Sequence, residues 1–226
     1  MSLLRIDASI RHDGSTSRAL ADIVEAQWLD TATDTQVVRR DIGTTPLPSD
    51  AWAQALAAGA TPEGDRTPEQ RTAYGLVTTL GDELAEADAY VFAVPLYNFG
   101  ASQHFKIYAD LVIADPRMSP GLTPVTAGKP GVLVTVQGGN YSPGTPKEGW
   151  DHATAWMRRI LEDVWQIDLE VVTREFTLVG VNPVLDAFTD IAQDLKSSAE
   201  QRARRTGREL AERQLAAASA EAASPA

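Results

Sequence analysis

The chain has 226 residues, and its 31 acidic side chains against 20 basic ones leave a net charge of −11. With 43% hydrophobic and 23% charged residues it can bury a substantial core, and its length fits one domain over residues 1–226. The acidity disfavours nucleic acid and anionic membranes as partners, and the absence of cysteine excludes disulfide scaffolds, thiolate zinc centres and cysteine nucleophiles. No apolar run approaches the ~20 residues of a membrane span. The opening MSLLRIDASIR lacks the basic and apolar regions of a secretory signal, so a cytoplasmic location is expected.

Leu3–Asp7 is a short apolar run and reads as a buried strand, followed by the polar loop Ser9–Ser17. Ser17 is the expected cap of a helix whose Leu20, Ile23, Val24 and Trp28 share one face. Gln36–Arg40 is the second strand, and the Pro-rich segment Asp41–Arg66 is loop with a short helix at Ala51–Ala58. Thr67 and Gln70 form a capping-box pattern with Pro68 at the first helical position, opening a helix to about Ala87. Ala89–Val94 is apolar throughout, as a central parallel strand requires, and Pro95–Gly100 ends it.

A helix at Ala101–Ala114, irregular chain at Pro116–Pro130 and a strand at Gly131–Gln137 follow. Then come a helix at Trp150–Trp165, a strand at Leu169–Phe176 and a long helix at Val184–Ala220 that is expected to break near Gly207. Five Arg and four Glu between Glu200 and Glu221 read as a solvated face of that helix, and residues 223–226 are expected to fray. Strict alternation of strand and helix predicts an α/β, doubly wound fold with one five-stranded parallel sheet.

Ligands of such sheets bind at the carboxyl ends of the strands, which points to three loops. Ser9–Ser17 offers hydroxyls and a helix start, the elements of a phosphate cradle; a capped polar turn is the plain alternative. It lacks G-x-G-x-x-G, and Gly128-Lys129 is followed by Pro130 where a P-loop needs Ser or Thr. Pro95-Leu96-Tyr97-Asn98-Phe99-Gly100 follows a buried strand with a rigid Pro and two aromatics, a wall for a flat ligand. Gln137-Gly138-Gly139 allows backbone to approach a ring edge. His12, His104 and His152 lack metal-ligand spacing, so no metal site is expected and each is assigned a surface or capping role. Lys106 and Asp110 are spaced for an ion pair on a helix surface.

Taken together, the Ser9…Ser15-Thr16-Ser17 loop, the Pro95–Phe99 run, Lys106…Asp110 and the Gly138-Gly139 turn resemble the FMN-dependent NADH:quinone oxidoreductase and azoreductase family, from Leu3 to about Val181. The resemblance implies a flavodoxin-like fold and a homodimer. It implies that Ser9, Ser15, Thr16 and Ser17 hold the FMN phosphate, with Thr16 standing where the family often has Gln. It further implies that Pro95, Leu96, Tyr97, Asn98 and Phe99 line the flavin and that Gln137, Gly138 and Gly139 meet its pyrimidine edge.

Two departures from the family pattern stand out. Val136-Gln137-Gly138-Gly139 replaces the usual Ser-Arg-Gly-Gly, and the stretch from Asp110 to Pro130 lacks the aromatics of the usual substrate wall. Tyr141 and Trp150, from the next loop, are the expected replacements, and His152 is the expected acceptor contact. No catalytic side chain is expected, because the flavin carries the hydride chemistry. The implied cycle is ping-pong, from NADH or NADPH through FMN to a small aromatic electrophile such as a quinone or azo compound. A flavin reductase that hands reduced FMN to a monooxygenase, and a flavodoxin-type electron carrier, are the alternatives.

Overall fold

The computed structural model describes residues 1–32 and 34–223; of the 223–226 tail expected to fray, residues 224–226 lie outside this range. The chain alternates β1 (Ser2–Asp7), α1 (Thr16–Thr31), β2 (Gln36–Asp41), α2 (Ala51–Gly59), α3 (Pro68–Glu86), β3 (Ala89–Tyr97), β4 (Gly100–Ala101), α4 (Gln103–Ile113), β5 (Pro130–Val136), α5 (Thr154–Arg158), β6 (Asp168–Arg174) and α6 (Thr189–Ala223). Five strands pair in parallel in the order β2-β1-β3-β5-β6, and β4 folds back antiparallel on the end of β3. This is the flavodoxin-like strand order, with the switch point between β1 and β3.

The sheet divides two cores. Tyr90, Phe92 and Val94 of β3 point into one with α2, α3, α4 and α5, where Phe92 meets Phe105 edge-on and tilts against Trp165. Ala89, Val91 and Ala93 point into the other, beneath Leu20, Val24 and Trp28 of α1 and Ala203 and Leu210 of α6. The small residues of β3 on that side let the two helices lie close. Gly207 allows α6 to touch α1, since a Cβ there would stand 2.4 Å from the Val24 carbonyl oxygen. That close packing explains why α6 runs unbroken past Gly207. The Arg- and Glu-rich segment is therefore solvated on one side only.

Several expected boundaries move, for local reasons. Ser15, not Ser17, caps α1: its Oγ accepts from the Arg18 amide, and Ser17 is a fully buried helical residue. Thr67 and Gln70 form the capping box as read. β3 continues through Pro95 to Tyr97 because β1 has ended opposite Ala93, so no neighbour on that side needs the missing N–H. Gly100-Ala101 then pairs back as β4, and the helix starts at Gln103. The helix expected from Trp150 starts at Thr154, since Asp151 accepts from the Ala153 and Thr154 amides ahead of it. It widens into a π turn at Arg159–Val164. The last helix is preceded by a 3₁₀ turn at Pro183–Phe188.

Candidate functional site

The loops after β1, β3 and β5 meet at the carboxyl edge of the sheet around a cleft of about 450 Å³, within the range of pockets that hold small cofactors. Ser9, Ser15, Thr16 and Ser17 line one part of it, Pro95 through Phe99 another, and Gly138 and Gly139 a third. A larger groove of about 710 Å³ runs between α1 and α6, with Phe176 in its wall. Among the described residues no group of three or more His, Asp or Glu side chains is placed to hold a metal.

The serine loop is held from below by charge. Arg5, Asp7 and Glu25 are buried beneath it, with Arg5 bridging Asp7, Glu25 and the more exposed Asp22. Arg18 sits above them. Its guanidinium donates to the Ser9 carbonyl at 2.9 Å, the Arg11 carbonyl at 2.9 Å and the Asp41 carboxylate at 2.7 Å. Burial acts to raise the Asp41 carboxyl, but hydrogen bonds from Arg18 and Thr44 outweigh it and hold the group well below its ordinary value. Two backbone carbonyls of the loop are thereby fixed. The first amides of α1 and the Ser15 and Ser17 hydroxyls, 3.3 Å apart, are left at the cleft. Free helix amides plus hydroxyls form a site for an anion.

The second wall is a hairpin. Asn98 and Phe99 both lie in the left-handed region, with φ of 48° and 68°, as a two-residue turn between antiparallel strands requires. Asn tolerates this; for Phe it costs ~1 kcal/mol. The surroundings hold the turn in place. The His152 amide donates to the Phe99 carbonyl at 3.0 Å, and the Phe99 ring sits edge-on to Trp150 and Tyr141, with centroids 5.3 and 6.4 Å away. Ser102 Oγ donates to the Ala8 carbonyl at 3.0 Å, tying the hairpin to the first loop. Tyr97 completes the link: its Oη accepts from the Ile10 amide at 3.2 Å and lies 3.3 Å from Ser9 Oγ.

The third wall is the glycine turn. The carbonyls of Gln137, Gly138 and Gly139 accept from the amides of Thr177, Leu178 and Phe176 at 3.1 Å each. These bonds hold the turn to the chain at 176–178 through its carbonyls, while the Gln137 amide donates to the Arg174 carbonyl at 2.8 Å. A Cβ on Gly138 would stand 2.7 Å from Leu178, so only glycine fits this contact unchanged.

Eleven of the fifteen residues named from sequence line the cleft directly on its three walls, and Tyr141 joins them. Three do not. Gln137 is 5% exposed, and its amide nitrogen donates to Asp151 at 2.7 Å instead of facing the cleft. Its Oε1 is buried without a partner among the described residues. Trp150 stands behind Phe99, and His152 contributes its backbone amide while its ring is exposed. His104, assigned a surface or capping role, is buried at the start of α4. Lys106 and Asp110 pair on the surface of α4 as read. Sequence reasoning missed Arg18, three residues beyond the true cap, and Lys147, Leu178 and Val181, which also line the cleft.

The chain is similar to known proteins over most of its length. Residues 1–203 match the model of a family described by its flavodoxin-like fold. A protein of Parafrankia sp. (strain EAN1pec) named FMN-dependent NADH:quinone oxidoreductase is 39% identical over 204 residues, covering 89% of this chain and 96% of its own. One of the same name from Streptomyces avermitilis is 30% identical, covering 94% and 98%. Among solved structures, an azoreductase from Bacillus anthracis str. Sterne superposes with a TM-score of 0.76 at 21% identity, over 92% of this chain and 99% of that one. An FMN-dependent NADH-azoreductase from B. anthracis str. Ames Ancestor, solved in complex with FMN, gives 0.72 at 16% identity, over 92% and 100%. These two structures share the fold.

Proposed function

Since this chain belongs to the flavodoxin-like family of FMN-dependent NADH:quinone oxidoreductases, we propose that its cleft binds FMN and passes reducing equivalents from NADH to a quinone or azo acceptor. It is an FMN-dependent oxidoreductase. The observation that carries the assignment of the site is the meeting of an anion-binding helix start, an aromatic hairpin and a glycine turn around one cleft.

The residues present fit the cofactor. Ser15, Ser17 and the first amides of α1 take the phosphate, Ser9 and Thr16 flank it, and Arg18 keeps the loop in shape from beneath. Pro95 to Phe99 form the flat wall for the ring system. Gly138 and Gly139 would meet the pyrimidine edge, where preorganised dipoles would act on developing negative charge. Bound FMN supplies the hydride-accepting and hydride-donating chemistry. The side chains bind and orient, and Tyr141 closes the acceptor side with the Phe99 ring. Orientation of this kind replaces a catalytic acid or base.

A single cleft lined by the three loops would have to serve both donor and acceptor, which supports a ping-pong order in which the oxidised donor leaves before the acceptor enters. Leu178, Val181, Val184, Phe188 and Ile191 are exposed beside the cleft, an apolar surface that supports a homodimer with the cofactor near the boundary. A cytoplasmic location belongs to the same proposal. Among the described residues no helix is long and apolar enough to cross a membrane.

The test is an absorbance spectrum of the purified chain mixed with FMN, then with anaerobic NADH, then with a quinone. Bleaching by NADH and recovery with quinone are expected, with parallel double-reciprocal plots at steady state. A chain that takes up no FMN overturns the assignment, and intersecting plots overturn the ping-pong order. Light scattering of the eluted protein at the mass of one chain removes the dimer.

A further inference from the structure

The loop after β5 sets one cation against the glycine turn. Lys147 lies in the Pro- and Gly-rich segment 141–150, and its Nζ is 3.3 Å from the point where a Cβ on Gly139 would stand. The same Nζ lies 5.6 Å from the centre of the Tyr141 ring and 6.0 Å from that of Phe99. These are weak contacts with ring faces, and they leave the ammonium at the cleft wall.

The nearby carboxylates are engaged elsewhere. Glu175 accepts from the Tyr141 amide and Ser142 Oγ, Asp151 from Gln137, Ala153 and Thr154, and Glu148 from the Gly144 amide. Among the described residues none of them pairs with Lys147. In a chain of net charge −11, an unpaired ammonium beside a glycine turn attracts negative charge that arrives with a ligand. The serine loop has its own donors, so this cation belongs to the other region of the cleft.

We propose that Lys147 is the charge-compensating residue of the flavin site, its ammonium set beside the pyrimidine edge against the negative charge that two-electron reduction leaves there. The proposal rests on the FMN reading above and goes beyond it in naming what tunes the cofactor. A hydride brings two electrons and one proton to the flavin and takes nothing from Lys147. With NADH as the donor, a C–H bond of the dihydronicotinamide breaks and an N–H bond forms on the flavin; NADH is oxidised by two electrons, the ring is reduced and gains one negative charge, and the ammonium keeps its proton. Lys147 then favours the reduced over the oxidised cofactor and raises the potential of the bound couple.

The experiment is a redox titration of the FMN-loaded enzyme against a dye of known potential, for the natural chain and for Lys147→Gln, Lys147→Arg and Lys147→Glu. Affinity for oxidised FMN is measured alongside by fluorescence quenching. Lys147→Gln should weaken binding of reduced FMN about tenfold more than binding of oxidised FMN, which moves the two-electron potential down by about 30 mV. Lys147→Arg should titrate with the natural chain, and Lys147→Glu should fall further than Gln. A Gln variant at the natural potential overturns the proposal. So does one that loses both oxidation states equally, because Lys147 is then a plain binding contact. A natural chain with no bound flavin to titrate is a separate outcome and overturns the FMN reading itself.

Discussion

Alanine in place of Gly43 is expected to damage the serine loop from behind. A Cβ at this position would stand 2.0 Å from the Ser9 carbonyl oxygen and 2.5 Å from its carbon. A tolerable contact needs at least 3.0 Å, so one of the two backbones must retreat by about 1 Å. Neither is free to do so. The Gly43 amide donates to the Asp7 carbonyl at 3.0 Å, and Arg18 holds the Ser9 carbonyl at 2.9 Å. Overpacking of this kind costs ~1–3 kcal/mol, and two anchored backbones place the cost near the top of that range. Urea unfolding of the FMN-free chain measures it. Because the displaced atom belongs to the proposed phosphate loop, FMN affinity should also fall about tenfold, one decade for ~1.4 kcal/mol. Gly75→Ala is the matched control. Gly75 is exposed within α3 with nothing within 4 Å of a new Cβ, so alanine there should stabilise by ~0.5–1 kcal/mol. If both variants unfold at the natural midpoint, or if Gly43→Ala keeps its FMN affinity, the reasoning from this contact fails.

Tyr97→Phe removes the hydroxyl shared by Ser9 and Ile10 and should weaken FMN about fivefold for ~1 kcal/mol, read by fluorescence quenching. Arg5→Leu leaves Asp7 buried without its nearest partner, although Arg39 still holds Glu25; the urea midpoint should fall by an equivalent of ~3 kcal/mol. Asp41 is held below its ordinary 3.8 in the folded chain, so its ion pair stabilises above that pH and fades as pH falls through the folded value. Asp41→Asn should accordingly melt below the natural chain near neutral pH, with the gap closing below about pH 4. Tyr141→Ala should raise the acceptor KM by about threefold to tenfold with FMN affinity unchanged, and identical acceptor kinetics would remove Tyr141 from the substrate wall.

The elements that were legible in the sequence are those whose signals are local. The capping box at Thr67, the unbroken apolar run of β3 and the glycines ending β5 each announce themselves within a few residues. The hairpin after β3 was hidden because Phe99 sits at φ 68°. A phenylalanine is no turn signal, and it takes that conformation only because Trp150, Tyr141 and the His152 amide surround it. The charge network under the serine loop was equally hidden. Its members at 5, 7, 18, 22, 25, 39 and 41 come from three elements and meet only when β1, β2 and α1 are assembled. The misplacement of Gln137 has a similar origin: Asp151, fourteen residues on, turns its side chain away. Lys147 was overlooked because a single lysine among prolines and glycines carries no pattern of its own.

The close seating of α6 on α1 at Gly207 and Val24 has a consequence for how the chain is made. The apolar face of α1, with Leu20, Val24 and Trp28, is covered by residues such as Ala203 and Leu210. Those residues leave the ribosome roughly 180 positions later, which at ~5–20 residues per second is about 10–35 s. Throughout that interval one side of the growing sheet has a helix on it whose own outer partner does not yet exist. The nascent chain therefore passes through a long stage with a greasy seam open to its surroundings, a natural target for holdase chaperones. Pausing of synthesis ahead of α6 should lengthen that exposure, and a release of the chain at that point should give aggregates in place of a smaller folded domain.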